Sequence, residues 1–312
     1  RLESLAVQIG QILRTEAPRL QEPTVLLCAG DHGLVAQGVS AWPSSVTTLM
    51  MQGILSGEAT VSVLARQHGL NVQVVDCGVI DPLPEQPGLV LRRVGAGTAD
   101  ALLQPAMTPE QCRTAIRNGR ELVASLPGNA ILLGEMGIGN TSASSIWMAC
   151  LADIPLERCV GAGSGLSDEG VRRKLSVLTR ALDHYTGDRT DPRSVMRHFG
   201  GYEMVAAVGA ILQAAELGML ILVDGFILTN CMLAARALCP DVMAYAIFGH
   251  CGGESGHQLV LDALHARPLL NLGMRLGEGT GAICAYPIVD SAVRMINEMD
   301  TFEGGRVTKY FK

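Results

Sequence analysis

The fold is decided by one stretch of the sequence, Ile131-Leu132-Leu133-Gly134-Glu135-Met136-Gly137-Ile138-Gly139-Asn140-Thr141. Its apolar run predicts a buried β-strand, its glycines predict a tight loop, and the small polar residues at its end can open a helix. Glu135 lies beside a glycine, where the absence of a side chain allows the backbone to approach a ligand closely. The stretch therefore predicts a strand that ends in a ligand-binding loop.

The same design recurs in a second stretch, Met274-Arg275-Leu276-Gly277-Glu278-Gly279-Thr280-Gly281. Glu278 lies between two glycines and is well placed to take a proton from a ligand. Either glutamate alone could instead accept backbone N–H bonds within its own loop, but two of them at strand ends favour function. Partial burial would raise the pKa of such a glutamate above its ordinary value of about 4.3, which makes it a better base near neutral pH. We expect the two loops to form the walls of one site.

The order of strand, glycine-containing loop and helix recurs along the chain. Thr24–Ala29 predicts a strand that ends in Gly30-Asp31-His32-Gly33, two helical stretches follow between Val46 and His68, and Val72–Val75 predicts the next strand. This β-α-β pattern is typical of a parallel sheet. Later stretches continue it, with strands predicted over Leu220–Val223 and Val242–Phe248 and helices over 109–126, 142–151, around Lys174, 202–217, 226–238 and up to about Leu264. The segment Ile80–Leu103 predicts a long loop.

These patterns predict an α/β fold with a mainly parallel sheet flanked by helices, in a Rossmann-like three-layer arrangement. We expect residues 1–312 to form a single domain, in which the N-terminal segment and about residues 285–312 make a smaller helical lobe. The active site of such a sheet lies beyond the carboxyl ends of its strands.

Composition excludes several classes of partner. The chain has 312 residues, 48% of them hydrophobic and 17% charged, with a formal net charge of -6 and no dense cluster of Lys and Arg. These values argue against nucleic acid or an anionic membrane as the main partner. The most apolar region, Met204–Leu228, is interrupted by Glu216 and Asp224, so it lacks the roughly 18 uninterrupted residues of a membrane helix. We expect a small-molecule partner and no membrane association.

The cysteines indicate the compartment. There are nine of them, an odd number, and no two form a C-x-x-C pair. They are typical of reduced thiols, and the chain has no secretory signal, so we expect a cytoplasmic protein. The chain starts at Arg1, and Arg1–Leu13 already has the periodicity of a helix, so we also expect a segment upstream of it.

A phosphate site is suggested by Gly163-Ser164-Gly165, which precedes a predicted helix start. Backbone N–H groups there could bind a phosphate with help from the helix dipole, although an ordinary tight turn is an equally good interpretation. Lys174 follows in the helix and could support the same phosphate or simply be solvated. No Walker motif and no G-x-G-x-x-G after the first strand is present, which argues against ATP and NAD.

Two other groups of polar residues are ambiguous. Asp224 at a strand end could order a loop or bind a ribose hydroxyl. Asp31-His32 and His250-Cys251 with His257 could suggest a metal site, but they do not form a compact ligand set, so no metal site is expected.

Five blocks of sequence carry a resemblance to a known family. They are Ala29-Gly30-Asp31-His32-Gly33, Gly134-Glu135-Met136-Gly137-Ile138-Gly139-Asn140-Thr141, Gly200-Gly201-Tyr202-Glu203, Val223-Asp224-Gly225-Phe226 and Arg275-Leu276-Gly277-Glu278-Gly279-Thr280-Gly281. In this order, over nearly the whole chain, they closely resemble the nicotinate-nucleotide:dimethylbenzimidazole phosphoribosyltransferase family. The resemblance implies transfer of the 5-phosphoribosyl group from nicotinate mononucleotide to 5,6-dimethylbenzimidazole, giving α-ribazole 5'-phosphate and nicotinate in cobalamin nucleotide-loop assembly. It implies no cofactor and no metal, and it suggests a homodimer with its pocket near the subunit contact.

The resemblance also implies roles for individual residues. Glu278 matches the proposed base, and Glu135 matches its partner carboxylate. The nucleotide-binding residues that it implies are Gly137, Gly139, Asn140, Thr141, Gly163, Ser164, Gly165, Lys174 and Asp224. The pocket for the acceptor base is expected to contain Trp42, Leu49, Met50, Met136 and Leu276. This chain has Trp42-Pro43 where relatives often have Tyr-Pro, Leu49-Met50 where they often have a glutamine before the methionine, and an unusual loop from Gly249 to His257, so the identity of the base is open.

Alternative functions differ in what they require of the site. A relative could use a purine or a phenol as acceptor, since a phenol also presents an acidic proton to Glu278. A non-catalytic nucleotide-binding paralogue would have no need of two glutamates. A phosphoribosyltransferase that uses pyrophosphate-activated ribose would normally need an acidic loop for metal and pyrophosphate, and we find no such loop in the sequence.

Overall fold

The computed structural model of the chain describes residues 1–300 and has a parallel sheet at its centre. Its six strands are β1 (Thr24–Gly30), β2 (Asn71–Gly78), β3 (Leu89–Leu91), β4 (Ala130–Met136), β5 (Leu220–Val223) and β6 (Ala246–Phe248). They are arranged in the order β3-β2-β1-β4-β5-β6, and every neighbouring pair is parallel. The strand order reverses between β1 and β4, and ligands of such sheets bind at this switch point. The predicted α/β class is confirmed.

Helices connect the strands and cover both faces of the sheet. They are α1 (Leu2–Ile12), α2 (Ser45–Leu55), α3 (Thr60–His68), α4 (Pro109–Ala124), α5 (Asn140–Leu151), α6 (Leu156–Cys159), α7 (Asp168–His184), α8 (Pro192–Phe199), α9 (Tyr202–Glu216), α10 (Phe226–Leu238), α11 (His257–Ala263) and α12 (Thr280–Glu298). Local chemistry explains several of their ends. At α4, for example, the Thr108 hydroxyl accepts the Gln111 N–H at 3.1 Å and the Gln111 side chain accepts the Thr108 N–H at 2.8 Å.

Two hydrophobic cores lie on opposite sides of the sheet, as the alternation of side chains along a strand requires. In the fully buried strand β1, Leu26 and Cys28 contribute to one core, whereas Val25, Leu27 and Ala29 contribute to the other. The first core includes residues of α4, α5, α9 and α10, and the second includes residues of α1, α2, α3 and α12. The molecule therefore has the predicted three layers.

Several elements differ from the sequence-based expectations, and the expected strand before Glu278 is absent, because residues 271–277 are irregular. The segment predicted as a loop from Ile80 to Leu103 contains β3, whose three residues pair with β2 at the sheet edge. The predicted strand Val242–Phe248 is shorter, because a 3-10 helix occupies Pro240–Tyr245 and only the last three residues pair with β5. Helix α8 was not predicted, although Asp191 caps it and Pro192 opens its first turn, both of which are readable signals.

The first and last helices of residues 1–300 come together on one face of the sheet. Helices α1 and α12 contact each other, and Leu5 and Ile9 share a buried core with Val289 and Val293. Whether this pair belongs to a separate lobe stays a prediction, and residues 301–312 of that expected lobe lie outside the described residues.

Two further properties concern the cysteines and the length of the helices. All nine cysteines are free thiols, and seven of them are buried. Within residues 1–300, none of the helices combines the length and the hydrophobicity needed to cross a lipid bilayer.

Candidate active site

A cavity of about 460 Å³ opens at the carboxyl ends of the strands. Thirteen of the sixteen residues expected in the site line it: Trp42, Met50, Glu135, Met136, Gly137, Gly139, Asn140, Thr141, Gly163, Ser164, Asp224, Leu276 and Glu278. The other three, Leu49, Gly165 and Lys174, do not line the cavity. Six loops converge there, counting the one that contains His250 and Glu254, where the topology of the sheet predicts a ligand site.

Glu278 is held in a strained backbone conformation. Its φ is +60°, and the flanking Gly277 and Gly279 have φ values of +80° and +81°. For a residue with a side chain this left-handed conformation costs about 1–2 kcal/mol, and such strain is concentrated at functional sites. The carboxyl group is buried, and this burial, together with the negative charge of Asp224, raises the pKa of Glu278 above its ordinary value. Both features suit a base that works near neutral pH.

Glu135 lies at the end of β4, directly against the Glu278 loop. Its Oε1 lies close to the Gly277 backbone, since a methyl group added to Gly277 would be only 3.0 Å from this oxygen. Its Oε2 accepts a hydrogen bond from the Asn140 side chain. Burial, followed by the charge of Asp224, raises the pKa of Glu135 to about 8. The two glutamates therefore border the same cavity from adjoining loops.

Asp224 ties β5 to the start of α12. Its carboxylate accepts the backbone N–H groups of Gly279 at 3.2 Å and Ala282 at 2.9 Å. Of the two roles considered for this residue, ordering a loop is the one that these contacts support, although it also lines the cavity. Burial raises the pKa of Asp224, and the charge of His250 opposes that rise.

Lys174 is buried on α7 and is not a solvated side chain. Only 1% of it is exposed, and its Nζ donates to Thr141 Oγ1 at 2.7 Å and to the Gly161 carbonyl at 3.3 Å. A methyl group on Gly163 would lie 3.7 Å from this nitrogen. Burial lowers the pKa of Lys174 to about 8. Lys174 thus supports the Gly163 loop from behind, which explains why it does not line the cavity.

Of the five residues expected around the acceptor base, four line the cavity and Leu49 does not. Trp42 is half exposed at the cavity, and its indole N–H donates to the Ser164 carbonyl at 3.1 Å. Met50 also lines the cavity, whereas Leu49 is 68% exposed on the surface of α2. Consecutive helical residues point about 100° apart, so both could not face the same cavity.

The loop from Gly249 to His257 adds residues that the sequence left without a role. His250 and Glu254 line the cavity, and His250 is buried with its Nε2 3.7 Å from the Asp224 carboxylate. His257 is structural, since its Nδ1 accepts the Gly252 N–H at 2.8 Å and its Nε2 lies 3.1 Å from the Thr229 hydroxyl. Burial lowers the pKa of His257 to about 3, so its ring is neutral.

Of the three histidines considered as metal ligands, His32 and His257 have close polar partners, whereas neither ring nitrogen of His250 has a hydrogen-bond partner among residues 1–300. His32 Nε2 lies 2.7 Å from Glu203 Oε1 in a buried ion pair. In the part of the chain from residue 1 to 300, no three His, Cys, Asp or Glu side chains are grouped so that they could hold a metal ion.

Comparison with known proteins agrees with the five sequence blocks. The model of a phosphoribosyltransferase family, DBI_PRT, matches residues 1–307. A nicotinate-nucleotide:dimethylbenzimidazole phosphoribosyltransferase from Bacteroides fragilis is 55% identical, over 99% of this chain and 90% of that protein. Proteins of the same name from Phocaeicola vulgatus and Variovorax paradoxus are 53% and 50% identical, over 99% of this chain and 90% and 88% of their own lengths.

A solved structure extends the agreement to three dimensions. The crystal structure of CobT from Thermus thermophilus has a TM-score of 0.93 and 38% sequence identity to this protein, over 99% of this chain and 93% of that one. The chain belongs to the nicotinate-nucleotide:dimethylbenzimidazole phosphoribosyltransferase family.

Proposed function

We propose that this protein transfers the 5-phosphoribosyl group of nicotinate mononucleotide to 5,6-dimethylbenzimidazole, giving α-ribazole 5'-phosphate and nicotinate in cobalamin nucleotide-loop assembly. The observation that carries the proposal is the pair of glutamates on adjoining glycine loops at one cavity, which is also lined by a loop supported by a buried lysine. Relatives that match 99% of this chain have the name of this activity.

The chemistry needs a base more than it needs an acid. One ring nitrogen of the benzimidazole attacks the anomeric carbon of the ribose with inversion, and the bond from that carbon to nicotinate breaks. The electron pair of this bond returns to the pyridinium nitrogen, which becomes neutral and needs no proton to leave. The attacking base becomes cationic, so its N–H proton must be removed. Positioning and base catalysis therefore account for the reaction.

Glu278 is the group that we assign to proton removal. Its burial and its raised pKa give it basicity close to neutral pH, and its left-handed backbone keeps the side chain at the cavity. Glu135, with a pKa of about 8, is suited to a different task, because a protonated carboxyl group can donate a hydrogen bond to a substrate oxygen. The two glutamates would then divide the roles of base and donor between them.

The phosphate and ribose of the nucleotide fit the part of the cavity at Gly163 and Ser164. Gly163 and Ser164 offer backbone groups there, and the Lys174 ammonium lies directly behind them. A dianionic phosphate near Lys174 would offset the cost of burying the charged lysine. The acceptor base would lie toward Trp42, Met50, Met136 and Leu276, where apolar side chains border the cavity.

Assembly and location form the second part of the proposal. We propose a homodimer in which a second copy covers the apolar rim of the cavity, because Trp42 and Leu276, which line it, are each more than half exposed. Light scattering coupled to size exclusion should give twice the mass of 33.0 kDa. We also propose a cytoplasmic location, which the nine free thiols support and which cell fractionation would test.

The deciding experiment uses the purified protein with nicotinate mononucleotide and dimethylbenzimidazole. Nicotinate and α-ribazole phosphate should appear in equal amounts when followed by chromatography and mass spectrometry. Parallel reactions with a purine and a phenol as acceptor would rank the bases. If the nucleotide binds but no acceptor gives product, the protein is a nucleotide-binding relative without this activity and the proposal is wrong.

A further inference from the structure

A buried ion pair lies beneath the active-site loop that follows β4. Nε2 of His32 is 2.7 Å from Oε1 of Glu203, and the two side chains are 3% and 0% exposed. His32 follows β1, and Glu203 is in the first turn of α9, so the pair joins two separate elements. Glu203 Oε2 has no hydrogen-bond partner among residues 1–300. The mechanism proposed above uses neither residue.

The Gly137–Gly139 backbone rests directly on this pair. A methyl group on Gly137 would lie 3.1 Å from Glu203 Oε1, and a methyl group on Gly139 would lie 3.0 Å from the Cβ of His32. On the other side, a methyl group on Gly201 would overlap Glu203 Oε2 and lie 2.5 Å from the ring of His32. Glycine at these positions therefore allows the backbone to close around the two charged groups.

The neighbouring residue fixes the same loop by a second route. Asp31 accepts a hydrogen bond from the Thr47 hydroxyl at 2.6 Å, and that hydroxyl accepts the Ile138 N–H at 3.2 Å. Asp31 and His32, which directly follow β1, thus stabilise the Gly137–Asn140 loop from two sides. This loop leads directly into Asn140, which donates to Glu135.

The negative charge of Glu203 also affects the pKa of an active-site residue. It is one of the causes that raise the pKa of Glu135, after burial and the charge of Asp224, and it raises the pKa of His32. The other charged or titratable groups around Glu135 and Glu203 are Asp31, Asp224, Glu278, Cys28, Cys77 and Cys231. Most of these are buried, so solvent screens their charges weakly.

We propose that His32 and Glu203 are positioning residues for the transfer reaction, which hold the Gly137–Asn140 loop, and with it the carboxyl group of Glu135, in the geometry of the active site. This inference rests on the proposed function. Because a shift of about 1 Å in a reacting group can cost about a hundredfold in rate, a well-packed support of this kind has a measurable effect.

The test compares Glu203→Gln, His32→Gln and the double variant with the wild type. Each should lower kcat about ten- to hundredfold and raise the KM for nicotinate mononucleotide by a smaller factor, because the Gly137–Asn140 loop also borders the expected nucleotide site. The double variant should lose about as much as either single variant, because the two residues act as one unit. The limb of the pH profile that reports Glu135 should move to lower pH in Glu203→Gln, since a negative charge that raises its pKa has been removed.

A matched control is Asp76→Asn, which breaks a partly buried ion pair, from Asp76 to Arg93 at 2.6 Å, away from the residues that line the cavity. It should lower thermal stability without moving the pH profile. If the His32 and Glu203 variants behave like this control, with lower stability but unchanged kcat and pH profile, the pair is only structural and the inference is wrong. If Glu203→Gln does not fold, His32→Gln decides, because it leaves the carboxylate in place. An inactive wild type would instead overturn the proposed function.

Discussion

The ammonium group of Lys174 donates a hydrogen bond to the hydroxyl oxygen of Thr141 over 2.7 Å, within the protein interior. Lys174 belongs to α7 and supports the Gly163 loop, whereas Thr141 belongs to the first turn of α5, just after the Gly137 loop. One side chain therefore joins the two loops that we assign to the nucleotide. Among residues 1–300, Lys174 donates hydrogen bonds to a hydroxyl and a carbonyl and not to a carboxylate. Burying a charged lysine in this way costs free energy unless a ligand supplies the negative charge.

Lys174→Met should mainly weaken nucleotide binding. The methionine keeps most of the volume but removes the charge and both hydrogen bonds, so we expect the Kd for nicotinate mononucleotide to rise about ten- to a hundredfold. Calorimetry at several pH values would check this. The wild-type affinity should fall as the pH rises through about 8, where Lys174 loses its proton, whereas the variant should lack this dependence. An affinity equal to that of the wild type would contradict the phosphate site.

Glu278→Gln should keep the fold and the nucleotide affinity but lose most of the turnover. Removing a general base typically costs about 10²–10⁴ in rate, and a glutamine cannot take the benzimidazole proton. Single-turnover kinetics with saturating substrates would measure the loss, and calorimetry would show that the nucleotide still binds. Turnover close to that of the wild type would mean that another group removes the proton.

Glu278→Gly is the companion variant, and it separates strain from catalysis. Glycine adopts the left-handed backbone of residue 278 without the cost of about 1–2 kcal/mol that a side chain brings, although it increases the entropy of the unfolded chain. We therefore expect a melting temperature equal to or above that of the wild type together with a loss of activity. A clear fall in melting temperature would show that the glutamate stabilises its loop instead of straining it.

Asp224→Asn should move the acidic limb of the pH profile to lower pH. The negative charge of Asp224 raises the pKa values of both Glu135 and Glu278, so its removal lowers both, and the base ionises at a lower pH. The variant should also lose about 1–3 kcal/mol of stability, because an amide cannot accept both backbone N–H groups that the carboxylate accepts. An unmoved limb would show that the charge of Asp224 does not control the glutamates.

The sequence predicted the layers of the fold because apolar residues recur with different periods in strands and in helices. β1 is apolar at nearly every position, as a strand buried on both faces must be, and Thr108 and Pro109 marked the start of α4. The 3-10 helix before β6 was missed, since its apolar residues resemble a strand when pairing partners are unknown. β3 was missed because its three residues are ordered by contact with β2, which is a tertiary effect.

The cavity was predictable where a glutamate lies next to glycine, but only Glu135 does so at a strand end, because Glu278 follows an irregular segment and not the strand that was expected. The orientation of Leu49 and Met50 on α2 could not be predicted without knowing which face of the helix borders the cavity. The partnership of His32 with Glu203 was equally hidden, because 171 positions separate them in the chain. Only the packing of α9 against the end of the sheet brings them together.

Trp42→Ala should change the order in which acceptor bases are used more than it changes nucleotide affinity. The indole borders the cavity on the side assigned to the base, so its loss widens that side and should favour larger acceptors. The measurement is kcat/KM for dimethylbenzimidazole, a purine and a phenol. Leu49→Ala is the matched control, because Leu49 is on the same surface but outside the cavity, and it should leave the ranking unchanged.

Trp42→Phe separates the contribution of the aromatic ring of Trp42 from that of its N–H group. Phenylalanine keeps an aromatic wall but cannot donate to the Ser164 carbonyl, which loosens the loop assigned to the phosphate. Losing one such hydrogen bond costs about 0.5–1.5 kcal/mol, so the KM for the nucleotide should rise about three- to tenfold while the ranking of bases is retained. If Trp42→Ala and Trp42→Phe both leave the ranking unchanged, Trp42 does not select the base, and selection must come from Met50, Met136 and Leu276, which border the same cavity.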